Sequence, residues 1–77
     1  TFLHGDVEVL EFAVSGDSAC NGATLAVLDV PKGALVGAIV RDGKPQIARG
    51  RSTLRDRDHV IVIARPDSVD RVTALFG

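Results

Sequence analysis

Leu35-Val36-Gly37-Ala38-Ile39-Val40-Arg41-Asp42-Gly43 decides how the rest of the chain is read. The apolar run has the length and β-branched content of a strand, and Asp42-Gly43 is the dipeptide of a two-residue hairpin turn. Successive side chains of a strand point to opposite sides of its sheet. Strict alternation puts Leu35, Gly37 and Ile39 on one side, and Val36, Ala38 and Val40 on the other. Both sides are apolar and both require cover. A chain of 77 residues is one domain at most and buries only about 60% of its extended-chain surface. It has little material to cover both.

After the turn, Lys44–Ala48 reads as the returning strand. Pro45 has no N–H to donate, which assigns that strand to a sheet edge. Arg49–Asp58 is polar, with Leu54 as its one apolar anchor, expected under the sheet. His59–Arg65 is a second strand apolar on both sides, Ile61 and Ile63 opposing Val60, Val62 and Ala64, and Pro66 stops it. Asp67 or Ser68 can cap a last helix, whose Val69, Val72, Thr73 and Phe76 follow the spacing of a buried face. Gly77 is its C-cap or merely the last residue.

Before the opening strand, Val30-Pro31-Lys32-Gly33 reads as a reversal, because Pro31 disfavours helix at Val30. Ala23–Asp29 fits a short helix with Leu25 and Leu28 on one side, flanked by Val27. Ser15–Gly22 is a loop, Gly5–Val14 a strand and Thr1–His4 a connection. Val7 and Val9 share one face of the first strand, and Leu10, Phe12 and Val14 the other. The apparent phase change between Val9 and Leu10 suggests a β-bulge. Glu8 and Glu11 fall on opposite faces, as solvated carboxylates or, with no other support, as paired catalytic acids.

The expected fold class is therefore α+β: a small β-α-β-β-β-α domain with a four-stranded, mostly antiparallel sheet and two helices on one face. The other face keeps apolar residues of two strands, and an exposed patch of that kind marks a protein interface. The expectation is a homodimer with Val36, Ala38, Ile39 and Val40 at its seam. The competing expectation is that Arg49–Asp58 folds over the face.

Composition narrows the function. Hydrophobic residues make up 45% and charged residues 25%, with no Trp, Tyr or Met and only three Phe. Base-stacking nucleic-acid modules need exposed aromatics, so nucleic acid is not an expected partner. The net charge of −1 hides an asymmetry: residues 1–31 carry five acids and no Lys or Arg, whereas residues 32–77 carry nine bases and five acids. No apolar run approaches the ~18 residues of a membrane span, so no direct membrane insertion is expected. Cys20 is the one cysteine, which excludes an internal disulfide and a thiolate metal cluster and suits a reducing cytoplasm. Nothing near it in sequence lowers its pKa, and an inert thiol is the expectation. Two histidines, His4 and His59, are too few for a metal set. His59 beside Asp58 reads as a partly exposed strand residue or as a pH sensor. No serine has an elbow or an identifiable base, so no catalytic residue is assigned.

Leu25…Leu28-Asp29-Val30-Pro31, Gly37-Ala38-Ile39-Val40-Arg41-Asp42-Gly43, Ile47-Ala48, Asp58-His59-Val60-Ile61-Val62 and Leu75-Phe76, in that order, resemble the TrkA C-terminal domain family, also called the RCK C-terminal domain. Ile39-Val40-Arg41-Asp42-Gly43 and Asp58-His59-Val60-Ile61-Val62 look closest to its potassium-uptake members. The resemblance implies that residues 1–77 are a dimerising regulatory domain of a longer protein, without catalysis. It would lie in the cytoplasm, peripheral to the inner face of the plasma membrane. Its implied partners are a second copy, a Rossmann domain of the same chain and a membrane-embedded potassium transporter or channel subunit. NAD or adenine nucleotide would belong to that Rossmann half; the present sequence has no Gly-x-Gly-x-x-Gly. No cofactor is implied for this domain itself, and cyclic di-AMP or another small anion is the ligand of some relatives. Leu35, Val36 and Arg41, with Arg49 as an anion donor, are the implied contacts. The alternative is a passive dimerisation domain attached to a cation/proton antiporter or a transcription regulator.

Two departures from the family pattern stand out. Arg51 replaces a frequent acid, and Arg57 replaces a frequent glycine just before the last strand. A turn without that glycine is expected to be built differently. Arg49, Arg51 and Arg57 form either an anion-binding rim or a solvated set beside Asp56 and Asp58.

Overall fold

A computed structural model describes residues 7–76 and shows four strands followed by two short helical elements. The expectations for the Thr1–His4 connection, for a strand start at Gly5 and for Gly77 as a cap lie outside the described residues. Strands β1 (Glu8–Ala13), β2 (Ala34–Arg41), β3 (Lys44–Ile47) and β4 (His59–Ala64) form one antiparallel sheet in the order β1-β4-β2-β3. A 3-10 turn at Pro66–Ser68 runs into α1 (Val69–Phe76). The α+β class with a four-stranded antiparallel sheet is as expected; both helical elements follow β4.

The Asp42-Gly43 turn forms as read. Both residues have positive φ, 53° and 74°, and Arg41 pairs with Lys44 across a two-residue loop. That geometry matches the twist of the strands it joins. β3 is an edge strand, and Pro45, opposite Val40, leaves its missing donor harmless there.

Two expectations fail for physical reasons. The bulge lies in β2, not in β1. β1 pairs with β4 in unbroken register from Glu8–Ala64 to Ala13–His59, so Val9 and Leu10 simply face opposite ways. In β2 the register against β4 slips between Val36 and Ala38, and Gly37 is the extra residue. Beyond it the alternation reverses. Val36 and Ile39 share the inner face, while Leu35, Ala38 and Val40 share the outer one. Ile39 is 1% exposed and Val36 packs against the core. Val36 and Ile39, expected at a dimer seam, thus lie on the core side, and Ala38 and Val40 lie on the outer face.

The second failure is the helix at Ala23–Asp29. That segment is a succession of turns, with Val27 N–H donating to Thr24 O and Leu28 N–H to Leu25 O, both at 3.3 Å. Thr24 instead bridges Thr53. Around it Gly22 N–H reaches Leu54 O (2.8 Å), Leu54 N–H reaches Ala23 O (2.9 Å) and Ala26 N–H reaches Gly50 O (2.8 Å). The polar 49–58 segment is thus zipped to 22–26 on the core side. Leu54, fully buried as expected, anchors it beside Cys20 and Leu25.

The core lies between this ribbon, α1 and the inner sheet face. Leu10, Val62 and Val36 form one cross-strand row, and Phe12, Val60 and Ile39 the next. Phe12 stacks on Phe76 at 5.7 Å, and Val72 and Phe76 are the buried residues of α1. A fully buried aliphatic side chain contributes about 1.5–3 kcal/mol, which applies to Ile39, Val60 and Val62 of these rows.

Candidate functional site

Among the described residues, the outer face of the sheet carries exposed apolar side chains. Register places Val9, Ile63 and Leu35 in one row across it. Glu11, Ile61, Ala38 and Ile47 form the next, and Ala13, His59, Val40 and Pro45 the last. Leu35 is 64% and Ile47 72% exposed. The 49–58 segment is committed to the core side, which overturns the expectation that it covers this face. Among the described residues, His59 Nδ1 lies 2.8 Å from Glu11 Oε2 across this face. Glu8 pairs with Ala64 on the opposite, inner side, so the two glutamates are separated by the sheet as expected.

Leu35, Val36 and Arg49 come together. They line a shallow groove of about 250 Å³ at one end of β2, with Leu25, Val30 and Ala48. Arg49 is exposed there, its backbone turn held by its N–H on Ser52 Oγ at 3.0 Å. Arg41 is at the other end of the strand. Its Nε donates to Asp58 Oδ1 at 2.9 Å and its Nη2 to Asp58 Oδ2 at 2.7 Å and to Thr53 O at 2.9 Å. Asp58 is 1% exposed and also accepts the Arg55 N–H at 2.9 Å. The Arg41 guanidinium holds the Asp58 carboxyl below its usual range despite burial, and the hydrogen bond to Asp58 raises Arg41 in turn.

Asp58 is the residue that sequence reasoning missed. An aspartate flanked by Arg57 and His59 reads as solvated; only the register that sets Arg41 beside it reveals the pair. Arg57 takes a left-handed φ of 74°, so the expectation that this turn would do without positive φ is corrected. Arg51, Arg55 and Arg57 are exposed and spread along the ribbon. Cys20 is fully buried, and burial pushes its thiol up, which accords with an inert thiol. Among the described residues no group of three or more His, Cys, Asp or Glu can hold a metal ion.

The TrkA-C domain family model matches residues 9–77. The chain belongs to the TrkA-C domain family. The domain is 32% identical over 77 residues to a Trk system potassium uptake protein TrkA homolog of Archaeoglobus fulgidus, covering all of this chain and 18% of that protein. It is 38% identical over 69 residues to TrkA homolog 2 of Methanosarcina mazei, covering 90% of this chain and 15% of that protein. The chain thus spans less than a fifth of these relatives. Among solved structures it resembles the RCK_C domain dimer of S. agalactiae BusR in complex with c-di-AMP. The TM-score is 0.74 and the identity 27%, over 92% of this chain and 91% of that one. It also resembles S. agalactiae BusR in complex with its busA-promotor DNA, with a TM-score of 0.75 and 25% identity over 99% of this chain and 39% of that one. The TrkA-C family is one of regulatory domains. Among the described residues no helix is long and apolar enough to cross a membrane.

Proposed function

We propose that this TrkA-C domain is the dimerising, ligand-sensing module of a potassium transport system, acting in the cytoplasm at the inner face of the plasma membrane. The observation that carries the reading is the uncovered outer sheet face, with Leu35 and Ile47 exposed at 64% and 72%. An apolar patch of this sort is covered by a partner, and a second copy supplies an identical patch about a two-fold axis. Leu35, Ala38, Val40 and Ile47 form the seam. The groove at Leu35, Val36 and Arg49 opens beside it and takes cyclic di-AMP or another small anion. A two-fold axis perpendicular to β2 sets its two copies antiparallel, which brings the Arg49 end of one beside the Arg41 end of the other. The Arg49 guanidinium fork suits a phosphate, whereas the Arg41 fork is taken up by Asp58.

The domain acts without catalysis. Ligand binding changes the angle between the two copies, and it shifts that equilibrium only by its differential affinity for the two arrangements. A Rossmann domain of the same protein and a membrane-embedded potassium transporter or channel receive the change. The domain itself contacts no nucleic acid.

Sedimentation equilibrium with a thermal-shift series in cyclic di-AMP tests the reading. A dimer whose melting temperature rises with ligand supports it, because a ligand of the native state stabilises that state. The Arg49→Ala variant should keep the unliganded melting temperature and lose the shift. A monomer at high concentration sinks the proposal. The similarity to promoter-bound BusR favours a second reading, the dimerising module of a transcription regulator. A DNA-binding segment elsewhere in the full-length protein distinguishes it, because a ligand shift is compatible with both.

A further inference from the structure

A cavity lies on the opposite side of the sheet from the proposed seam. It is a groove of about 660 Å³ between the 29–33 turn and one flank of α1, within the size range of sites for small organic ligands. Val30 and Pro31 form one wall and Ala74 and Leu75 the other. Lys32 and Arg71 stand at the rim, and neither has an ion-pair partner among the described residues. Asp29 is the one acid among the described residues lining it.

The walls are held apart by backbone, not by loose side chains. Asp29 takes a left-handed φ of 54°, a conformation that costs an L-residue free energy. Gly33 lies so close to the buried Ser68 that a Cβ there would collide with its hydroxyl. Its carbonyl accepts the Arg65 N–H at 2.8 Å. The turn is thereby fixed to the start of the helical segment, and the groove is preformed.

We infer that this groove is a binding site for a small organic anion with an apolar body, independent of the proposed dimer cleft. The apolar walls take the body, and the Lys32 ammonium and Arg71 guanidinium take the charged group. A bare inorganic anion leaves the walls wet, and a neutral body leaves two cations unpaired.

The probe is 8-anilino-1-naphthalenesulfonate, titrated into the 77-residue chain and followed by fluorescence and by amide chemical shifts. N-phenyl-1-naphthylamine serves as the uncharged body and sulfate as the bare anion. The expected result is saturable one-to-one binding with shifts centred on Val30, Lys32, Arg71, Ala74 and Leu75. The neutral body should bind about tenfold more weakly, as should the probe to Lys32→Ala/Arg71→Ala. Both residues are exposed, so this variant should melt with the parent. Sulfate alone should neither bind measurably nor move those amides. Shifts centred on Leu35 and Ile47, equal affinity for the neutral body, or no saturable binding would each overturn the inference. None of these outcomes touches the dimer reading, which stands or falls on sedimentation.

Discussion

Arg41 and Asp58 form a two-pronged pair, Nε to Oδ1 at 2.9 Å and Nη2 to Oδ2 at 2.7 Å, that ties the end of β2 to the entry of β4. Asp58 is 1% exposed and Arg41 26%. Removing one partner of a buried pair strands the other charge, at a cost of about 3–5 kcal/mol. Arg41 keeps some access to water, so Asp58→Asn should fall near the lower end. Urea denaturation of the variant checks this; a loss under about 1 kcal/mol, the median for exposed pairs, would contradict the burial.

The same pair sets a pH dependence. Asp58 is held below its ordinary value of 3.8, first by the hydrogen bond from Arg41. A lowered folded-state pKa gives stability that is complete above the unfolded-state value. It declines as the pH falls through that value and is lost once the pH passes below the folded-state one. The stability difference between the parent and Asp58→Asn should therefore be constant near neutrality and shrink on acidification below the ordinary carboxylate range. A difference that is flat down to pH 2 would disprove the linkage.

Arg57 sits at φ 74°, where the family resemblance implies a glycine. A left-handed conformation costs an L-residue about 1–2 kcal/mol, partly offset in glycine by its greater chain entropy. The Arg57→Gly variant should gain about 0.5–1 kcal/mol in urea denaturation. Destabilisation would mean that the Arg57 side chain makes a contribution larger than its strain.

What was legible in the sequence follows from which signals are local. The Asp42-Gly43 turn, the edge position implied by Pro45 and the anchor Leu54 each rest on one residue's chemistry, and each is found. The bulge was misplaced because β2 is apolar at almost every position, so alternation carries no phase. Only pairing with β4 shows that Gly37 is the extra residue. The supposed helix at Ala23–Asp29 had Leu25 and Leu28 at a spacing that consecutive i to i+3 turns satisfy equally. Its true partner is the 49–58 segment, more than twenty residues away. Leu35, Val36 and Arg49 do share one groove. Asp58 and the Lys32–Arg71 groove depend on contacts distant in sequence and left no local mark.

Gly33 packs against Ser68 with no room for a side chain. A Cβ would meet Ser68 Oγ and stand 3.2 Å from its Cβ. Overpacking of this kind costs about 1–3 kcal/mol, so Gly33→Ala should lose that much. Ser68→Ala removes the hydroxyl but keeps the near carbon. The double variant should recover part of the loss, and a double-mutant cycle reads the coupling. Strict additivity would refute the contact.

The outer face gives the prediction with most bearing on function. Leu35 and Ile47 are exposed at 64% and 72%, and neither belongs to the buried cluster. Replacing both with serine should leave the monomer's own stability within about 0.5 kcal/mol, the usual range for surface substitutions. The same change removes apolar area from the proposed seam, at roughly 25 cal/mol per Å². The change enters twice in a symmetric dimer, once from each copy. Leu35→Ser/Ile47→Ser should therefore weaken dimerisation at least tenfold in sedimentation equilibrium while urea denaturation at low protein concentration barely moves. If the dimer persists with unchanged affinity, the two copies pair through another surface, and the groove at Leu35, Val36 and Arg49 loses its place beside the seam.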